Sequence, residues 1–151
     1  MSYIWSEIKM SHIKLPLDIL EDISNSFNAN FSGTMSMAIV ENKASAIDHF
    51  INTIGKQEKQ IDVDHEILLK IVVPLLENYE MFVLKVSYKM STVYPCSLMD
   101  YMNGNRLYNC VDSNSLDEKL RFIFGSDKFK NAASVLMTQA ERIRNKTDNH
   151  Q

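Results

Sequence analysis

The chain is poor in cysteine, glycine and proline: two, four and three of them among 151 residues. A structural zinc site takes about four Cys or His ligands in closely spaced pairs. No two of Cys96, Cys110, His12, His49, His65 and His150 lie within four residues of each other, so no metal is expected. Loops that cradle phosphate need several neighbouring glycines so that backbone N–H groups can approach the ligand. Gly33, Gly55, Gly104 and Gly125 are isolated, which removes the Walker loop, the dinucleotide fingerprint and the G-x-S-x-G elbow. No cofactor is expected. The position four after His65 is Leu69, so "HEILLK" is not a zincin helix.

Long apolar runs are missing too. None approaches the roughly 18 residues that cross a bilayer, and "MSYIWSEIKMSHIK" breaks its apolar residues with Ser, Glu and Lys, unlike a secretory leader. The expected location is cytoplasmic, with no membrane partner, where two cysteines are reduced thiols rather than a disulfide framework. There is no internal repeat and no low-complexity linker, and the length fits one domain over residues 1–145 followed by a frayed polar tail over 146–151.

What is present reads as an α+β protein. "PLDILEDISNSF" starts a short helix at Pro16, where the missing N–H costs nothing, with Leu17, Leu20, Ile23 and Phe27 at helical spacing. "NANFSGTMSMAIV" breaks at Gly33 and is compatible with a strand or a continuing helix. Ile47, Phe50, Ile51 and Ile54 give i, i+3, i+4, i+7 spacing closed by Gly55. "HEILLKIVVPLLENY" is apolar nearly all round and is expected as a buried helix, capped by Asp62 or Asp64 and kinked at Pro74. The same caps account for "DVDHE" (Asp62, Asp64, His65, Glu66) without a metal, since carboxylates favour a first helical turn.

From Glu80 the period becomes two: Phe82, Leu84, Val86 and Tyr88 alternate with Lys85, Ser87 and Lys89. Asn103-Gly104 is a hairpin signal. A three-stranded antiparallel meander over about 81–91, 94–102 and 105–111 follows. Ser115 with Glu118 reads as a capping box, Gly125 closes that helix, and Ser126 caps a last one striped by Phe129, Ala132, Ala133, Leu136, Met137, Ala140 and Ile143. The expected architecture is a set of about three N-terminal helices, the meander, and two C-terminal helices packed on one sheet face.

The register decides how the cysteines relate. With Asn103 and Gly104 as a two-residue loop, partner numbers sum to 207, which places Cys96 opposite Val111 and the two thiols on opposite sheet faces. A three-residue loop moves the sum to 206 and sets Cys96 opposite Cys110. The two-residue turn predicts two separate packed thiols, with a redox pair or a lone nucleophile or ligand as the alternatives.

Charge is asymmetric: residues 1–80 hold 12 acidic and 6 basic side chains, residues 81–151 hold 7 and 10. All four arginines lie between Arg106 and Arg144. The candidate binding residues are Lys85 and Lys89 on the polar strand face and Arg121, Lys128, Lys130, Arg142 and Arg144 on the C-terminal helices; no catalytic residue is assigned. Such a basic face would bind phosphates in a salt-dependent way, although no aromatic residues interleave with it. The nine methionines are core filler or an adaptable contact surface.

The order "VLKVSY", "YP", hairpin, "SLDEKLRFIFGS" and a final striped helix is similar to segments of bacterial and phage accessory proteins, over about 65 residues and without a functional residue to carry over. The expected function is non-catalytic protein binding, of the inhibitor, immunity or adaptor type, with another protein or a second copy as partner. Nucleic-acid binding through the basic helix face and a small cysteine-dependent enzyme are the alternatives.

Overall fold

A computed structural model describes residues 5–43 and 64–148. After a short 3-10 turn, Trp5–Glu7, come helix α1 (Pro16–Phe31), strands β1 (Ser36–Lys43), β2 (Asp64–Val73), β3 (Tyr79–Lys89), β4 (Cys96–Asp100) and β5 (Arg106–Cys110), then helices α2 (Ser113–Gly125) and α3 (Asp127–Asp148). The class is α+β, as expected, but the sheet has five strands in the order β1-β2-β3-β4-β5, every pair antiparallel. Among the described residues three α-helices accompany it. The helix expected near residues 47–55 lies outside the described residues.

The largest correction is β2. Its burial alternates along the segment, with His65, Ile67, Leu69, Ile71 and Val73 buried and the residues between them half-covered. A central strand with apolar side chains on both faces has no period of two to betray it, so the run mimicked a buried helix; its Ile and Val content fits a pleated sheet better than a helix. Pro74 therefore kinks nothing. It ends β2, having no N–H for the ladder, and opens the turn Pro74–Leu76 that leads to Glu77 and Asn78, both in the left-handed region. Residues 30–42 resolve into the end of α1, a turn at Gly33 (φ 86°) and β1.

The meander strands appear where the alternation placed them, with boundaries shifted to 79–89, 96–100 and 106–110. The C-terminal helices also form, with one change of cap. Asp112, not Ser115, is the N-cap of α2; it accepts from the Ser115 N–H at 2.8 Å, and the Ser115 hydroxyl closes the capping box. Ser126 accepts from the Phe129 N–H at the start of α3, whose helical backbone runs to Asp148.

All three helices cover one face of the sheet. The core joins Ile19 and Leu20 of α1, Leu116, Leu120 and Ile123 of α2, and Phe129, Leu136 and Ala140 of α3 to the inward residues of the strands. Each fully buried aliphatic side chain contributes about 1.5–3 kcal/mol relative to exposure.

The two sheet edges are treated differently. At β1, the Asn28 side chain of α1 receives the Met37 N–H at 2.7 Å and donates to the Met37 carbonyl at 3.2 Å, and Ser24 donates to the same carbonyl at 2.8 Å. A helix thus occupies hydrogen-bonding groups that an edge strand otherwise offers to another chain. Asn28→Ala should lower stability by about 1–3 kcal/mol, read by urea unfolding, and should speed amide exchange at Met37; unchanged exchange there would refute this role for the side chain.

Candidate functional site

The side of the sheet away from the helices carries no described element. On it the register aligns one residue from each strand into a row: Val40, Leu68, Lys85, Met99 and Leu107. Lys85 stands at the centre of this row, its ammonium 3.7 Å from Glu66, and the other four members are apolar. Next to it on β3 stands Phe82, 51% exposed, and at the edge Leu107 is 65% exposed. On the other flank runs a polar row, Asn42, Glu66, Ser87, Ser97 and Asn109.

The ions of this face neutralise one another. Lys70 meets Glu80 at 2.8 Å, Lys85 meets Glu66 at 3.7 Å, and Lys89 meets Asp64 at 3.7 Å. Exposed pairs of this kind add at most about 1 kcal/mol to stability, but they leave the face without net charge.

The seven basic residues singled out from the sequence do not form one surface. Lys85 and Lys89 stand on the uncovered sheet face, while the others ride on the helices of the opposite layer. Arg121 bonds Asp117 one turn back at 2.8 Å. Arg144 bonds Glu141 at 2.7 Å, the Gly33 carbonyl and the Thr34 hydroxyl, tying α3 to the turn between α1 and β1. Lys128, Lys130 and Arg142 make no ion pair among the described residues.

Asp64, His65 and Glu66 lie in β2 and cap no helix. His65 is buried, its ring tilted against Tyr88 with centroids 5.2 Å apart, and its Nε2 lies 3.0 Å from Glu41. Met35 and Met37 are core, while Met99 lies in the row on the other sheet face.

Between α1 and α2 opens a groove of about 490 Å³ lined by Ile23, Phe27, Phe31, Leu120, Phe124 and Phe129, with Arg121 and Asp117 at its rim. Asp22, Ser26 and Asn30 of α1 line it as well.

The cysteines required the largest correction of register. Five residues, 101–105, join β4 to β5, and Cys96 stands directly opposite Cys110. Partner numbers sum to 206. Asp100 causes this: fully buried, it accepts the N–H groups of Met102 at 2.9 Å and Asn103 at 3.1 Å, and the Asn103 amide at 2.9 Å. A carboxylate that gathers donors from the following residues closes a wider loop than a tight Asn-Gly turn. Positive φ falls on Gly104 and Asn105, one position later than a two-residue turn centred on Asn103-Gly104 requires.

Both thiols are free and buried on the helix-facing side. The hydrogen bond to Cys110, then burial, push the Cys96 thiol far up. The same bond from Cys96 lowers Cys110 against the opposing effect of burial, with the Lys119 ammonium and Ser115 hydroxyl lowering it further and Asp112 raising it. Lys119 itself sits 4.8 Å over the Tyr108 ring. Tyr94, which donates to the Lys14 carbonyl at 2.7 Å, is pushed up to about 12 by burial and then by the neighbouring thiols. Sequence reasoning missed this cluster because the turn type decides it; Asp100 three residues before Asn103 was the available signal.

No helix among the described residues is long and apolar enough to cross a membrane. No protein-family model, no curated protein and no solved structure matches this chain.

Proposed function

We propose that this chain is a non-catalytic protein-binding module, of the inhibitor, immunity or adaptor type, that works through the face of its sheet on which no described element lies. The observation that carries the reading is the apolar row from Val40 to Leu107, continued by Phe82, on a face whose charges are already paired. Covering such a row gains about 25 cal/mol per Å² of apolar surface. The paired ions remain paired when covered, which limits the desolvation cost. The occupant that this face fits is a second copy of the chain, because two neutral faces meet without repulsion although each chain carries −3 overall. Antiparallel sheets stack face to face at about 10 Å through rows of this kind.

Nucleic-acid binding has weaker support. Lys85, Lys89, Arg121 and Arg144 already engage carboxylates, and the cations divide between two opposite layers. Phosphate contacts need a continuous basic footprint.

A photo-crosslinking residue at position 107, compared with one at Val135 on the outward side of α3, tests the proposal. Crosslinked dimers of differently tagged copies are expected from position 107 only. Leu107→Asp with Phe82→Asp should weaken self-association by about 2 kcal/mol or more, measured by sedimentation. A discrete adduct with another protein, lost in the same double variant, would keep the binding reading and replace the occupant. A monomer at every concentration together with no discrete adduct in host extract would end it.

A further inference from the structure

The cross-strand placement of Cys96 and Cys110 has no part in the sheet-face reading, being on the other side of the sheet. We infer that these two cysteines are a modification site: a peroxide-sensitive dithiol that closes to an intramolecular disulfide between β4 and β5.

The geometry begins with register. Directly opposite residues of an antiparallel pair have Cα atoms about 4.5 or 5.5 Å apart, according to their place in the ladder. Disulfides span roughly 4.4–6.8 Å between Cα atoms, so either spacing admits the bond without moving the strands. Both side chains project to the same face, as a bridge requires. No third Cys, His, Asp or Glu joins them in a metal-holding group among the described residues.

Burial selects the oxidant. Cys96 is 1% and Cys110 0% exposed, which shuts out a bulky disulfide reagent but not hydrogen peroxide, a molecule little larger than water. β5 has five residues and one strand neighbour, so the dithiol lies on the edge hairpin of the sheet.

The order of events follows from the surroundings of the two sulfurs. Cys110 receives the hydrogen bond from Cys96 and lies near Lys119 and Ser115, so it is the one that reaches the thiolate form. Its sulfur attacks one peroxide oxygen: an S–O bond forms, the O–O bond breaks, and the departing hydroxide takes up the proton that Cys110 released, giving water. The product is a sulfenic acid on Cys110. Cys96 then attacks that sulfur: the S–S bond forms, the S–O bond breaks, and the second hydroxide leaves with the Cys96 proton as water. Two thiols lose two electrons, and one peroxide becomes two waters.

Treating the folded chain with hydrogen peroxide should consume both thiols together. A non-reducing peptide map should join the peptides holding Cys96 and Cys110, with a mass loss equal to two hydrogens, reversed by dithiothreitol. In Cys96→Ser the Cys110 thiol should gain one oxygen on peroxide treatment, read by intact mass, faster than Cys96 does in Cys110→Ser. Circular dichroism verifies the fold of each variant, and the wild-type arm needs no substitution. Thiols that survive peroxide in the folded chain, bonds between chains in place of the internal one, or equal rates in the two serine variants would each overturn the inference.

Discussion

Leu69→Ala should lower the unfolding free energy by about 2–5 kcal/mol, whereas Leu68→Ala, one residue away, should cost about 1 kcal/mol or less. Leu69 is fully buried, faces the helices, and stands opposite Ile39 and Leu84 in the middle of a five-stranded sheet. A strand held on both sides by ladder hydrogen bonds cannot collapse into the void, so the loss includes a cavity as well as transferred methyl groups. Leu68 points to the uncovered face and is only half-covered, so its truncation removes less contact and leaves no enclosed hole. Urea unfolding of the two variants against the parent measures both quantities. Equal losses would contradict the alternation of β2, because in a helix buried all round adjacent leucines would both be core.

Asp100→Ala should cost about 3 kcal/mol and should also loosen the hairpin. The carboxylate is fully buried and accepts three hydrogen bonds from Met102 and Asn103. Its removal strands two backbone N–H groups and frees the 101–105 loop to adopt other lengths. Since loop length fixes register, amide exchange in Arg106–Cys110 should accelerate, and the peroxide-driven bond between Cys96 and Cys110 should form less completely. Asp100→Asn keeps one acceptor oxygen and should lose about 1 kcal/mol. A stability of Asp100→Ala within about 0.5 kcal/mol of the parent, with unchanged exchange in β5, would show that the loop holds its shape without the carboxylate.

These expectations trace where the sequence was readable. Local period sufficed for α2 and α3, whose apolar residues recur on one stripe beside polar ones, and for β3 from Leu84 onward; Phe82, expected on the face of Leu84, is turned to the other face by the register shift opposite Leu69 and Lys70, where Val83 and Leu84 are both buried. The start of α1 at Pro16 was legible for the same reason. β2 was not, because Leu68 and Val72 are as apolar as Leu69 and Ile71, and a pattern without contrast has no period. The candidate site fared worse. Lys85 and Lys89 were placed on the polar side of their strand, but nothing local shows that Glu66 and Asp64 of β2 sit beside them, since those carboxylates were read as helix caps. Arg144 looked like part of a solvated basic face; the Gly33 and Thr34 contacts that occupy it come from more than 100 residues away.

By itself the sequence determined the α+β class, the two C-terminal helices, the alternating strand after Glu80 and the want of metal and nucleotide motifs, because each is written in composition or in spacing within one turn or strand. Only the tertiary structure decided that residues 64–73 form a strand, that Val40, Leu68, Lys85, Met99 and Leu107 share one row, and that Cys96 faces Cys110. Those facts depend on which strands lie side by side and in what register, and register is set by a buried carboxylate and by burial across the whole sheet rather than by any local pattern.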